Sequence, residues 1–150
     1  MQHQLRTEID IEASPDTVWE ILSDLDQYQT WNPFIVSATG TVAVGEKLTN
    51  RLQPAGGRAA TFKPTVTDVA TAQVLEWLGR FGMPGIFDGR HRFELAPTPN
   101  GGTHLLHTEH FSGALVRLMR KSLDTHTVQG FHDMNAALKA RAEACVVSTS

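Results

Sequence analysis

The chain has 150 residues, 41% hydrophobic and 19% charged, with a net charge of −3 and an isoelectric point near 6.1. That size suits one domain over residues 1–150, with a core large enough to leave room for a ligand. The acidic balance and the lack of a basic run argue against nucleic acid and against an anionic membrane surface. No apolar stretch approaches the roughly 18 residues of a membrane helix, and polar Gln2, His3 and Gln4 after Met1 do not read as a signal peptide. Cys145 stands alone, so no intrachain disulfide can form, which suits a reducing cytoplasm. Late in a helical stretch among alanines, it reads as a small core residue.

Leu5, Thr7, Ile9 and Ile11 alternate with Arg6, Glu8, Asp10 and Glu12, the period of a half-buried strand. Ser14 is placed to cap a helix that opens on Pro15, where a missing N–H is harmless, with Asp16 favourable against the dipole. Val18, Ile21, Leu22 and Leu25 form its apolar stripe. Tyr28 to Phe34 can add a second short helical turn, and the Asn32-Pro33 step ends the helical region because the residue before proline avoids the α conformation. Strand-like stretches follow at 35–42, 46–53, 58–69, 72–79, 86–96 and 102–111. The turns between them are short and rich in glycine, asparagine and proline, which makes hairpins and therefore an antiparallel sheet.

After Phe111 the apolar period lengthens. Val116, Met119, Leu123, Thr127, Phe131, Met134, Leu138, Ala142 and Cys145 recur every three or four residues, which predicts a helix from Gly113 to Cys145 of about nine turns. A helix that long needs a long partner, and the candidate is the concave face of a curved seven-stranded sheet. Gly130 inside it costs about 1 kcal/mol against alanine, so close packing or a bend is expected there.

The run Ile11-Glu12-Ala13-Ser14-Pro15-Asp16-Thr17-Val18-Trp19, with Asp24-Leu25 and Trp31-Asn32-Pro33, resembles the START-like superfamily, also called SRPBCC. Gly79-Arg80, Phe93-Glu94-Leu95 and Glu109-His110-Phe111-Ser112-Gly113 support the likeness, which covers nearly the whole chain. It looks closest to the bacterial branch of polyketide cyclases, dehydrases and lipid-transport proteins. The resemblance implies an α+β helix-grip fold: one strand, two short helices, six more antiparallel strands, and a long C-terminal helix gripped by the sheet. It also implies a pocket between that helix and the sheet for a small, largely apolar molecule. It implies no cofactor, and no family catalytic motif matches residue by residue; fold alone does not fix chemistry here.

In such a fold, alternation marks the residues that see the pocket. Phe87, Gly89, His91, Phe93 and Leu95 share the inward face of the sixth strand. Leu105, His107, Glu109 and Phe111 share that of the seventh, opposed by His104, Leu106, Thr108 and His110. Pairing Leu95 with Thr103 sets His91 opposite His107; a slip of two residues sets it opposite Glu109. Either register groups His91, His107 and Glu109, and buried polar groups need partners.

That trio admits several roles: a satisfied structural patch, a patch that orients a ligand, or a general acid-base site with Glu109 setting the histidine tautomer. A metal site of two histidines and a carboxylate is a weaker reading of the same residues. The expected ligand-binding set is Phe87, Phe93, Leu105, Phe111, Met119, Leu123, Phe131 and Met134, with Trp31 and Trp77 at the border. Residues 80–86 read as a lid or as an ordinary connection. Arg117, Arg120 and Lys121 are expected to face solvent, as are His126 and His132. Binding or carriage of the apolar molecule is the leading expectation, ahead of a cyclase or dehydratase and of a co-chaperone-like interaction module. Neither nucleic acid nor stable membrane insertion is expected, and a homodimer is left open.

Overall fold

A computed structural model describes residues 2–149, with side chains described through Val146. Strand β1, Gln2–Ile11, buries Leu5, Thr7 and Ile11 on the face that alternation assigns to the core. Helix α1, Pro15–Ser23, starts where the capping residues require: the Thr17 N–H donates to Ser14 Oγ at 3.2 Å. It buries Val18, Trp19 and Leu22, and a short turn over Leu25–Gln27 leads into α2, Tyr28–Trp31. Asn32 ends the helical region and steadies the entry to the next strand, its Oδ1 accepting from the N–H groups of Phe34 and Ile35 at 3.0 and 2.8 Å.

Seven further strands complete the sheets: β2 Ile35–Thr39, β3 Thr49–Leu52, β4 Ala60–Phe62, β5 Thr65–Ala70, β6 Val74–Phe81, β7 Phe87–Pro97 and β8 Thr103–Ser112. All pairings are antiparallel, in a five-stranded sheet of order β1-β8-β7-β6-β5 and a three-stranded sheet of order β2-β3-β4. The described residues thus form eight strands in two sheets, not seven in one. The expected strand over 58–69 divides at Pro64, which has no N–H to donate to a ladder. The two sheets meet at this corner through Leu48 N–H to Pro64 O and Val66 N–H to Glu46 O, both 2.8 Å. The polypeptide therefore curves around a concave interior as the helix-grip reading requires.

The C-terminal helix starts three residues later and ends four residues later than its period suggests, and it is less regular. Helix α3, Val116–Ser122, passes through a π turn at Leu123–Thr127 into α4, Val128–Thr149. A π turn inserts one residue and rotates the helix face. Past it, Phe131, Met134, Leu138 and Ala142 are fully buried, whereas Met119 before it is 41% exposed. Gly130 is there for close packing: a Cβ would stand 2.3 Å from Phe34 Cδ1. Cys145 is exposed rather than core, because the buried face of α4 ends at Ala142. Among the described residues no helix is long and apolar enough to cross a membrane.

Candidate functional site

A cavity of about 320 Å³ lies between the concave sheet surface and the first part of the long helix. Its walls come from β3 and β4 with the 53–58 connection, from the inner faces of β6, β7 and β8, and from α3 with the π turn. Phe34, Leu52, Phe62, Trp77, Phe87 and Phe111 make it mostly apolar. Phe87 and Phe111 stack at 5.4 Å, and Trp77 stacks on His91 at 5.1 Å. The volume falls in the range of small-molecule sites.

The expected lining divides. Phe87, Phe111, Met119, Leu123, Trp77, His91 and Glu109 are in the wall. Phe93, Leu105, Phe131 and Met134 are not; they lie fully buried beneath it as core. The π turn accounts for the helix members of that group, since it turns the residues after 127 away from the void. Trp31 is also outside the wall, half-buried in α2 with its ring edge-on to Tyr28. The other side of the cavity comes from Phe34, Ile35, Asn50, Leu52 and Phe62, all on β2–β4 or just before. Their short strands show little alternation, and only the corner at Pro64 folds them over the sheet. Asn50 is buried, and its Oδ1 has no hydrogen-bond partner.

Register brings the polar trio together. Leu95 pairs with Leu105, so His91 lies opposite Glu109, the slipped alternative; Thr7 of β1 lies opposite His107. His91 and His107 are 2.7 Å apart through their Nε2 atoms, and Glu109 Oε1 is 3.3 Å from His91 Nδ1. A histidine pair already bonded Nε2 to Nε2 leaves no room for an ion between those atoms. Among the described residues no metal-binding group of three is formed.

The chain of bonds continues inward, and its far end assigns every proton on the way. Thr7 Oγ1 donates to the backbone carbonyl of His107 at 3.0 Å, and a carbonyl can only accept. Thr7 therefore accepts from Asn135 Nδ2 at 2.8 Å, which turns Asn135 Oδ1 toward His107 Nδ1 at 2.7 Å. His107 must carry its hydrogen on Nδ1 and present a bare Nε2, so His91 donates from Nε2. Its Nδ1 is left facing Glu109. Burial first, then the neighbouring His91, hold His107 well below the ordinary imidazole range, against the raising effect of Asn135, and so keep it neutral. The His107 ring is clamped by Phe131, stacked at 4.1 Å and 5°.

Glu109 is seated by a glycine. Gly89 lies diagonally across from it, and a Cβ there would stand 2.5 Å from Glu109 Oε2. Oε1 therefore meets His91 while Oε2 is left to the cavity that Glu109 lines. At the mouth, Arg58, Arg80 and His126 line the opening; His126 Nδ1 donates to Ala55 O at 2.7 Å and ties the 53–58 connection to the π turn. Phe81 and Met83 are exposed at the same edge, and the backbone of Gly85 and Ile86 accepts from Ala114 and Leu115. The 82–86 connection is thus fastened to the start of the long helix. Arg117, Arg120, Lys121 and His132 are exposed as expected.

No curated protein sequence matches this chain. Solved structures do, over nearly all of it, at identities that speak for the fold alone. The chain is similar to the Zhui aromatase/cyclase from Streptomyces sp. R1128 at 17% identity and a TM-score of 0.80, covering 97% of this chain and 96% of that one. A START superfamily protein from Mycobacterium smegmatis is similar at 21% identity and a TM-score of 0.73, covering 95% and 99%. Norcoclaurine synthase from Thalictrum flavum is similar at 13% identity and a TM-score of 0.74, covering 96% of each. The helix-grip fold and the sequence agree: a family model matches residues 2–143, and the chain belongs to the polyketide cyclase / dehydrase and lipid transport family.

Proposed function

We propose that the protein binds a small, largely apolar molecule in the cavity between sheet and long helix. The observation that carries this reading is the void itself: about 320 Å³ with an aromatic wall, kept open in a domain whose core is otherwise filled. Burial of a ring system there removes apolar surface from water at about 25 cal/mol per Å². His91 and Glu109 at one wall, with His107 buried behind His91, give orientation, as in sites where a few polar groups fix the pose.

Gly79 provides the test. It lines the cavity, and a Cβ there would meet Pro64 Cβ at 3.8 Å and Gly89 O at 3.9 Å, ordinary contacts. Gly79→Leu is expected to fill the void and abolish uptake of Nile red while thermal stability holds. Unchanged uptake would refute the cavity as the binding site. Mass spectrometry of small molecules extracted from the native protein would then name the ligand.

A second reading is favoured by the oriented chain of bonds from Thr7 to His91, which stands 3.3 Å from Glu109. A histidine with an assigned tautomer beside a cavity carboxylate is an acid-base pair, suited to proton transfer of the cyclase or dehydratase type. In that reading His91 and Glu109 touch the substrate, and His107 acts through His91. Turnover lost in Glu109→Gln with binding retained would support it.

A further inference from the structure

The cavity's polar wall has a definite sense, set from the backbone outward. The His107 carbonyl orients Thr7, Thr7 orients Asn135, Asn135 fixes the His107 tautomer, and His107 makes His91 a donor at Nε2. What remains is the contact of His91 Nδ1 with Glu109 Oε1 at 3.3 Å. Oε1 thus faces the His91 ring, while Oε2 lies over Gly89 in the cavity wall; a carboxylate oxygen carries no hydrogen and can only accept.

We infer that Glu109 Oε2 is an obligate hydrogen-bond acceptor that selects ligands bearing a hydroxyl or N–H donor, with Gly89 as the positioning residue that keeps it aimed into the cavity. This rests on the cavity reading above and narrows it. A ligand whose only polar atoms are ether or carbonyl oxygens meets Oε2 lone pair to lone pair and strips it of water without replacement. A ligand of the same shape with a hydroxyl restores the bond. A buried acceptor left unpaired is costly enough that the discrimination should be about tenfold or more. The stacked Phe87–Phe111 pair and Trp77 favour a flat probe.

The matched pair is 2-naphthol and 2-methoxynaphthalene, titrated by calorimetry into the full chain at pH 7. The hydroxyl compound is expected to bind about tenfold more tightly. Glu109→Leu should bring the two within about twofold. Glu109→Gln should preserve the preference, because its amide can donate to the bare His91 Nδ1 and turn its carbonyl to the cavity. Gly89→Ala should reduce the preference by displacing Oε2, with circular dichroism checking that the fold survives. If the two probes bind the native protein equally, or Glu109→Leu keeps the preference, the inference fails and the cavity reading stands. If neither probe binds, the cavity reading fails with it.

Discussion

Replacing Gly130 by alanine sets two local rules against each other. In an isolated helix the change would add about 1 kcal/mol of stability. Here the new methyl would stand 2.3, 2.7 and 3.1 Å from Cδ1, Cε1 and Cγ of Phe34. Carbon atoms rest at about 3.5–4.0 Å, so the ring would have to retreat by roughly 1.2 Å, the difference between that floor and the shortest contact. Its backbone is pinned by Asn32, and Phe131 lies edge-on at 5.5 Å on the inner side. The space left is the cavity that Phe34 lines. Overpacking of this kind costs about 1–3 kcal/mol, at its upper end when a whole ring must move. Set against the helical gain, a net loss of about 1–2 kcal/mol is expected, or a fall in Tm of about 2–8 °C for a chain of this length. Ligand uptake should weaken as well, because the displaced ring enters the void. Calorimetric melts with and without an apolar probe read both effects. A Tm that rises, with uptake intact, would refute the packing of Phe34 on Gly130.

Two further outcomes are expected of the same structure. Ser14→Ala removes the acceptor of the Thr17 N–H at the start of α1 and should cost about 1 kcal/mol in denaturant melts without touching ligand binding; no detectable change would mean the cap contributes nothing. His107, held far below the ordinary imidazole range by burial, refuses a proton that the unfolded chain takes near pH 6.5, so its contribution is complete above that pH and is lost as pH falls below it. Melts between pH 8 and 5 in a His104→Gln background, which removes an exposed histidine raised by Asp10 and Glu8, check the sign; stability rising toward pH 5 would refute it.

Where the chain obeys one period, its sequence is readable. The alternation of Leu5 to Ile11, the Ser14-Pro15 start and the switch to a helical period after Phe111 each rest on local rules, and the structure has β1, α1 and the long helix there. The shared face of His91, His107 and Glu109 was legible for the same reason, since strand parity survives a slip of two residues. The register itself was not, because Leu95 can face Thr103 or Leu105 with equal hydrophobic sense, and only the turn decides. Asn135 and Thr7 lie 128 positions apart, and no local pattern announces their hydrogen bond. Helical spacing put Phe131 and Met134 on one stripe with Met119 and Leu123, and a single inserted residue in the π turn parts them.

Two of the places where periodicity fails border the cavity. Pro64 breaks the strand over 58–69 and swings β2–β4 across the sheet; the π turn at Leu123–Thr127 rotates the helix opposite. Without the first, Phe34, Leu52 and Phe62 would have no concave side to close. The second sets Met119 and Leu123 in the cavity wall while Phe131 and Met134 past it are buried as core. Departures from local rule carry a cost that folding alone gives no reason to retain. Here both face one void, and the one carboxylate in its wall is seated by a glycine and oriented by a chain of bonds that begins at a backbone carbonyl. The irregularities and the buried polar chain border the same volume, which is the physical ground for the proposal that it holds a ligand.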